Sequence, residues 1–167
     1  MILLRSFVFN VGFCTGTLVL MIVFLPVLIM NRNALPRCGH VWSSMLRWWL
    51  SVAVGIRVEI RGEIPSGPCL IAAKHQSAWE TIEFLRLLPD ACFVLKRELT
   101  WIPIFGWYIS GNRQIVVDRS GGLRALKRML GEAQRALNAG RQIVVFPQGT
   151  RVEPGVVKTY QPGIALL

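Results

Sequence analysis

The N-terminal part of this chain has almost no charge. From Ser6 to Asn31, a run of 26 positions, there is no Asp, Glu, Lys or Arg. At about 1.5 Å per residue, a helix of this length exceeds the roughly 30 Å hydrocarbon core of a bilayer. Because an ordinary surface helix carries a charged face, the run predicts a membrane-anchoring segment.

Acidic residues are scarce along the whole chain, with 9 Asp and Glu against 19 Lys and Arg, a formal net charge of +10. All but four of the cations are arginine, whose planar guanidinium suits phosphate. Basic proteins commonly bind nucleic acid or membranes. The 53% of hydrophobic residues, together with the lack of a zinc-finger, basic-zipper or aromatic RNA-binding signature, favours the bilayer and excludes nucleic acid as the expected partner.

Several common signatures are missing. The four cysteines form no CxxC pair, which argues against a zinc knuckle or a disulfide framework. No GxGxxG follows a predicted strand, and neither GxxxxGK[ST] nor GxSxG occurs. A dinucleotide site, a nucleotide-phosphate loop and a nucleophile elbow therefore lack their main support, and a membrane-anchored nucleotide-binding protein is disfavoured.

A second apolar stretch, residues 40–56, is too short to span a bilayer comfortably. Its aromatic and cationic residues suit the headgroup level of a membrane: Trp42, Arg47, Trp48 and Trp49. Arginines follow the first apolar segment, so the positive-inside tendency predicts an inner-membrane protein with the remaining chain facing the cytoplasm. Both one span plus an interfacial helix and a helix pair entering one leaflet stay open.

After residue 58 the long apolar runs give way to short ones, which predicts an anchoring helix pair at 1–58 and a separate domain at 59–167. A continuous apolar run at 69–73 is typical of a strand buried on both faces, and further strands are predicted at 92–96, 114–118 and 141–147. One helical pattern ends at Pro89. Another predicts a buried stripe of Leu123, Leu126, Leu130, Ala133 and Leu137.

This alternation predicts an α/β fold, with a mainly parallel or mixed sheet covered by helices. The last residues, YQPGIALL, form an apolar run that is typical of a truncated end. Ligands of parallel sheets bind where strands end. Three polar clusters follow predicted strands, namely KHQSAWE, DRSGG and PQGTR, and we expect them to converge.

His75 and Glu80 are the first candidates for chemistry. Histidine suits proton transfer near neutral pH, and a catalytic base needs a partner that orients its ring. Glu80 also completes the S-x-x-E capping box that begins at Ser77. The two interpretations are compatible, because a carboxylate that bends back to cap the helix also points at the His75 loop. Unpaired amides at this helix start are expected to favour an anion or oxyanion.

Three ordered blocks carry a family resemblance. HQSAWE resembles the H-x4-D block of the glycerolipid acyltransferases that acylate lysophosphatidic acid, with Glu80 in place of Asp. GNRQIVVDR at 111–119 resembles their second block, and VFPQGTR at 145–151 their third, with Gln148 in place of Glu. The resemblance covers about residues 60–163, and the apolar N-terminus is similar to the membrane anchor of the family.

The resemblance implies an acyltransferase catalytic domain at 59–167. The implied reaction moves a fatty acyl group from an acyl-CoA or acyl carrier protein thioester to the free hydroxyl of 1-acyl-glycerol-3-phosphate (lysophosphatidic acid), giving phosphatidic acid. The thioester is a co-substrate, and no cofactor, metal or covalent enzyme intermediate is implied. His75 corresponds to the general base, and Glu80 to the carboxylate that orients it and balances its charge.

The resemblance also assigns the acceptor phosphate to Arg151, with Gly149 and Thr150 shaping the turn that presents it. Arg119 and Lys96 are further candidate cations, and two or three converging cations suit a phosphomonoester. Asp118 has a simpler interpretation as a helix cap. Gln148 lacks the charge of the usual glutamate, so we expect it to shape hydrogen bonds.

Two alternatives remain. The acceptor could be another lysolipid, including an amino-acid lipid. A noncatalytic membrane module that binds lipid phosphate would keep the arginines without turnover. The presence of both His75 and Glu80 argues against that module.

Overall fold

The computed structural model describes residues 1–167, and the side chains of all of them except residues 162 and 165. The described residues form one sheet of parallel strands: β1 (Cys69–Ala72), β2 (Ala91–Lys96), β3 (Ile115–Val117) and β4 (Gln142–Val145). Their order is β1-β4-β2-β3. Ile143 of β4 lies between Leu70 of β1 and Cys92 of β2. The predicted parallel sheet is confirmed.

Helices lie on both faces of this sheet. The helices of the chain are α1 (Ile2–Val23), α2 (Leu25–Met30), α3 (Leu35–Val54), α4 (Trp79–Leu87), α5 (Phe105–Gly111) and α6 (Gly122–Asn138). Successive residues of β2 point to opposite faces. Cys92 belongs to one apolar cluster with Met129 and Ala133 of α6, whereas Phe93 belongs to another with Leu88, directly after α4. The α/β fold with helices on both faces is therefore as predicted.

β1 is less buried than its apolar sequence indicates. All four residues of β4, in the interior of the sheet, are buried. In β1, Leu70 is 37% exposed and Ala72 also faces solvent, whereas Ile71 packs into the cluster near α4. The prediction that this strand is buried on both faces is wrong. β1 lies at the edge of the described sheet, and α6 packs over β3 and β4 on the other face.

The buried stripe of α6 also differs from the prediction at its start. Leu123 is 76% exposed, whereas Met129, Ala133 and Ala136 are buried. The stripe that packs on the sheet runs from Leu126 through Met129 and Ala133 to Ala136. At about 100° per residue, Leu123 lies about 60° to one side of Leu126, whereas Met129 lies about 60° to the other side, so Leu123 falls outside the stripe.

The N-terminal helices form an antiparallel pair. The indole N–H of Trp49 donates to the carbonyl oxygen of Phe9 at 3.1 Å, and that of Trp42 donates to the hydroxyl oxygen of Thr17 at 3.0 Å. Gly12 permits this close approach, because a Cβ there would lie 2.3 Å from Nε1 of Trp49. Within the described residues, α1 is the one helix long and apolar enough to cross a membrane, by length and composition.

α3 also packs against α4, where it forms a buried ion pair. Nη1 of Arg47 lies 2.5 Å from Oε1 of the buried Glu83, and the same guanidinium donates to the carbonyl oxygen of Val58 at 2.9 Å. The sequence analysis placed Arg47 at the headgroup level and did not predict this ion pair. A buried carboxylate requires a charged partner, and Arg47 and Arg86 fill that role for Glu83. Trp48 is 62% exposed and is the tryptophan of this group that faces outward.

Candidate active site

Three polar loops converge at the edge where the strands end. The backbone N–H of His75, in the loop after β1, donates to Oε1 of Gln148, in the loop after β4, at 3.0 Å. The N–H of Val152 donates to the carbonyl oxygen of His75 at 2.8 Å. Arg119, after β3, donates from Nη2 to the carbonyl oxygen of Gly149. The loop after β4 is therefore hydrogen-bonded to the loop after β1 and to the loop after β3.

The Glu80 carboxylate organises the His75 loop. Its Oε1 lies 2.9 Å from Nδ1 of His75 and accepts the backbone N–H groups of Gln76 and Ser77 at 2.6 and 2.8 Å. Its Oε2 accepts the Ser77 hydroxyl at 2.6 Å. The side chains of His75 and Glu80 are 18% and 23% exposed. One carboxylate therefore caps the loop and holds the imidazole, so the two contacts anticipated for Glu80 coexist.

The start of α4 is one residue later than the capping-box pattern predicts. Ala78 is the N-cap and the helix begins at Trp79, so Glu80 is its second residue. The amides of Gln76 and Ser77 donate to Glu80, and that of Trp79 donates to the Ser77 hydroxyl oxygen at 3.0 Å. These three amides are therefore engaged and are not available to an oxyanion.

The charge of Glu80 determines the tautomer of His75. Burial by itself raises the pKa of Glu80, but hydrogen bonds from Ser77, from the backbone and from His75 outweigh it and lower the pKa to about 2. The carboxylate is therefore ionised at neutral pH and only accepts hydrogen bonds. When His75 is neutral, Nδ1 must carry its proton and Nε2 keeps a lone pair, as a general base requires.

The imidazole is also held on its face. Phe146, the residue after β4, stacks on His75 with ring centroids 4.1 Å apart and planes inclined by 20°. Gln148 is 5% exposed and binds the His75 backbone, in line with its expected hydrogen-bonding role. The sequence analysis did not assign Phe146. Its available signal was an aromatic residue directly after a strand that ends at this edge.

The candidate cations lie at the same edge and differ in how they are held. Arg119 is tied to the loop after β4 through Gly149. Lys96 is the last residue of β2, and Arg151 directly precedes the residue bonded to His75. Both side chains are exposed, and neither forms an ion pair within the described residues. They are the cations that remain available to an anionic ligand.

Asp118 caps the turn that leads into α6, as its simpler interpretation proposed. Its Oδ1 accepts the hydroxyl and the backbone N–H of Ser120 at 2.6 and 3.0 Å, and its Oδ2 lies 2.7 Å from Nη1 of Arg97. The Ser120 hydroxyl, the Ser120 N–H and Arg97 lower the pKa of Asp118. Arg97 is a further cation at this edge that the sequence analysis did not assign, although it directly follows Lys96.

Gly149 forms the turn in a conformation that favours glycine. Its φ is +69°, and its N–H donates to the carbonyl oxygen of Phe146 at 2.9 Å. A Cβ at this position would lie 3.1 Å from Nη2 of Arg119. Thr150 is half-buried beside it. The turn is therefore built so that Arg119 approaches the backbone closely, just before Arg151.

The arrangement combines a base, its carboxylate partner and nearby cations. An imidazole held in this way suits general-base catalysis on a hydroxyl, and the cations suit a phosphate on the same molecule. Within the described part of the chain, no group of three or more His, Cys, Asp and Glu side chains is placed to hold a metal ion. The described residues therefore support proton transfer next to an anionic group.

The sequence of this chain matches a known protein family and several curated proteins. Residues 55–167 match the model of the Acyltransferase family, and the chain belongs to that family. A 1-acyl-sn-glycerol-3-phosphate acyltransferase of Pseudomonas aeruginosa is 38% identical over 124 residues, covering 73% of this chain and 48% of that protein. A lyso-ornithine lipid O-acyltransferase of the same organism is 32% identical over 122 residues, covering 71% and 46%.

One solved structure shares both fold and sequence with this chain. It is the crystal structure of the 1-acyl-sn-glycerophosphate (LPA) acyltransferase PlsC from Thermotoga maritima, with a TM-score of 0.62 and 27% sequence identity. The match covers 96% of this chain and 64% of that one. The chain spans about half the length of the curated relatives it matches.

Proposed function

We propose that this protein transfers a fatty acyl group from an acyl thioester to the free hydroxyl of 1-acyl-glycerol-3-phosphate, giving phosphatidic acid. The observation that carries the proposal is the imidazole of His75, with Nδ1 held 2.9 Å from Glu80 and Nε2 left as the base. The relatives named as 1-acyl-sn-glycerol-3-phosphate acyltransferases support the choice of acceptor.

His75 and Glu80 carry the proton transfer in this reaction. Nε2 of His75 takes the proton of the acceptor hydroxyl while the oxygen attacks the thioester carbonyl carbon. The tetrahedral intermediate then collapses, the carbon–sulfur bond breaks, and the leaving thiolate takes the proton from the imidazolium. Glu80 is ionised throughout and balances the imidazolium charge. General-base catalysis of this kind contributes about 10²–10⁴-fold, and positioning must supply the rest.

The cations at the same edge bind the acceptor phosphate in this proposal. Arg151 is the main ligand, because it is exposed and follows the turn at Gly149 and Thr150. Lys96 supplies a second charge from the end of β2. Arg119 contributes through the turn, since its guanidinium already contacts the carbonyl oxygen of Gly149. Two or three cations match the charge of a phosphomonoester.

A lyso-amino-acid lipid is the second candidate acceptor, because a lyso-ornithine lipid O-acyltransferase is 32% identical to this chain. Such an acceptor lacks the phosphomonoester, so it has less need of Arg151. The two candidates are separated by measuring acyl transfer in membranes that contain the protein, with either acceptor and with acyl-CoA or acyl carrier protein thioester. We expect lysophosphatidic acid to be acylated. Transfer to lyso-ornithine lipid alone would overturn the proposed acceptor.

A noncatalytic lipid-phosphate-binding module is tested in the same assay. It predicts lysophosphatidic acid binding without any acyl transfer from either thioester. Turnover that is lost in His75→Ala would instead assign catalysis to this chain.

We also propose that residues 1–58 attach residues 59–167 to the cytoplasmic face of the inner membrane. The packing supports a helix pair in one leaflet over a span across the bilayer. α1 lies along α3, and α3 is joined to the catalytic domain through Arg47 and Glu83 and through the 2.9 Å contact of His40 Nε2 with the carbonyl oxygen of Leu88. A transverse α1 would draw this ion pair into hydrocarbon, which is costly.

An epitope fused before Met1 tests this attachment. In sealed membranes whose outer face is exposed, a one-leaflet pair keeps the epitope protected from added protease until the membranes are opened. Cleavage in sealed membranes would show that α1 spans the bilayer.

A further inference from the structure

A cavity lies at the opposite edge of the sheet from His75. It has a volume of about 270 Å³ and is bounded by the residues that precede three strands and by the start of α3. Its lining includes Arg32, Pro36, Asp90, Asn112, Arg113 and Arg141. We call it the arginine cavity. At roughly 3.3 Å per residue, the four residues of β4 alone separate this edge from the His75 edge by about 13 Å.

The arginine cavity carries uncompensated positive charge. The guanidinium of Arg141 is already hydrogen-bonded within the protein. It donates two 2.9 Å hydrogen bonds to Asp90 and others to the carbonyl oxygens of Asn112 and Arg113. This pair cancels the one acidic side chain of the lining. Arg32 and Arg113 form no ion pair within the described residues, so the cavity keeps two unpaired guanidinium groups.

The start of α3 adds to this field. Asn33 and Pro36 belong to the lining, and the N–H of Leu35, the first residue of this 20-residue helix, donates to the carbonyl oxygen of Arg32. The positive end of its dipole therefore lies beside the two arginines. Two guanidinium groups beside the start of a helix suit a phosphate or another compact anion.

An apolar cavity adjoins the arginine cavity. It has a volume of about 510 Å³, and its lining includes Leu25, Leu28, Ile29 and Trp107. Arg32 and Gly111 line both cavities. The apolar cavity has the size of an ordinary ligand site, roughly 300–1,000 Å³. Together the two cavities pair a cationic end with an apolar groove, as the headgroup and acyl chain of a lipid require.

We propose that the arginine cavity binds the phosphate of an anionic membrane phospholipid, whose acyl chain enters the apolar cavity, as a lipid site separate from the candidate active site. Arg32 lies two residues after the end of α2, the second of the apolar N-terminal helices, so the site opens where the protein meets the membrane lipids. A lipid held there attaches the sheet domain to the bilayer independently of catalysis. The site stands whether or not the proposed acyl transfer is correct.

Native mass spectrometry of the protein from neutral detergent tests this site, with phosphatidylglycerol or phosphatidylcholine titrated in. We expect phosphatidylglycerol to bind at least about tenfold more tightly, because its phosphate forms charge-assisted hydrogen bonds without the choline cation that makes phosphatidylcholine zwitterionic. The double variant Arg32→Gln with Arg113→Asn should lose this preference. Asparagine tolerates the positive φ of Arg113, +49°, so the variant removes charge without adding backbone strain.

The control variant Arg124→Gln with Lys127→Gln removes two exposed cations from α6 and should keep the preference. Arg151→Ala should keep it as well, and loss in that variant would place the lipid at the candidate active site and overturn the proposal. Equal loss in the control would overturn it too, because binding would then follow net charge.

Two further arms distinguish a lipid from free phosphate. Inorganic phosphate should not displace the long-chain lipid at equal concentration, and a short-chain phosphatidylglycerol should bind more weakly than the long-chain form. Displacement by phosphate would identify the ligand as a free anion and overturn the lipid assignment.

Discussion

The ring of Phe146 stacks on the imidazole of His75, with centroids 4.1 Å apart. Glu80 holds the same imidazole at its edge through Nδ1. The ring is therefore fixed in two directions, and Nε2 is the ring nitrogen that Glu80 does not contact. Such fixation is expected of a base whose reaction depends on alignment, and the first two predictions test it.

Removing the imidazole should abolish most turnover. We expect His75→Ala to lower kcat by about 10²–10⁴-fold, the usual contribution of a general base. The other histidine of the chain supplies a matched control. His40 contacts the carbonyl oxygen of Leu88, away from the strand-end loops, so His40→Ala should keep turnover in membranes at the same protein level. Unchanged kcat in His75→Ala would exclude the base assignment.

The two roles of Glu80 can be separated by a pair of variants. Glu80→Gln keeps an acceptor for the loop amides but loses the charge that balances the imidazolium, so kcat should fall by about 10²-fold or more. Ser77→Ala removes the hydroxyl between Glu80 and Trp79. It should cost about 0.5–2 kcal/mol of stability and retain turnover. Full activity in Glu80→Gln would leave Glu80 with a capping role alone.

The strands and the polar loops after them were predictable because their signals are local. A short apolar run and the polar residues that follow it occupy fewer than ten positions, and the ends of parallel strands must share an edge. The stacking of Phe146 on His75 was not predictable in this way. It depends on β4 lying next to β1 in the sheet, which no local pattern specifies.

The contacts and burial that the sequence analysis missed also depend on residues or strands that are distant in sequence. The ion pair of Arg47 was not predicted, because its partner Glu83 lies 36 residues away. Leu70 was assigned to a buried strand because its neighbours are apolar, but β1 lies at the sheet edge. Tertiary packing therefore determined both the ion pair of Arg47 and the exposure of Leu70.

The lowered pKa of Glu80 predicts a loss of stability in acid. The ordinary pKa is 4.5, and the folded value is about 2, so ionised Glu80 stabilises the fold fully above pH 4.5. This contribution is lost as the pH falls from about 4.5 toward 2, because folding then requires release of a proton that the unfolded chain keeps. The thermal midpoint in detergent should therefore fall more steeply between pH 5 and pH 3 for the wild type than for Glu80→Gln. Parallel curves would show that the hydrogen bonds to Glu80 do not stabilise its charge.

Arg151 should affect acceptor binding more than chemistry. Loss of one charge-assisted contact to phosphate costs about 1.5–3 kcal/mol, so Arg151→Ala should raise KM for lysophosphatidic acid about 10- to 100-fold. The exposed Arg124 of α6 is the matched cation, and Arg124→Gln should leave KM unchanged. Steady-state kinetics with varied acceptor measures both variants. A similar rise in the two would trace the effect to general attraction of an anionic lipid by the basic protein.

Two glycines with similar backbone conformations separate strain from function. Gly149 and Gly155 have φ values of +69° and +85°, so alanine should destabilise either site by about 1–2 kcal/mol. At Gly155 a Cβ meets nothing within 4 Å, whereas at Gly149 it would lie 3.1 Å from Nη2 of Arg119. Gly149→Ala should therefore displace Arg119 and lower kcat/KM by about tenfold or more, while Gly155→Ala keeps it. Thermal midpoints and acceptor kinetics are to be measured for both variants. If both are equally destabilised and equally active, the approach of Arg119 to this turn has no part in catalysis.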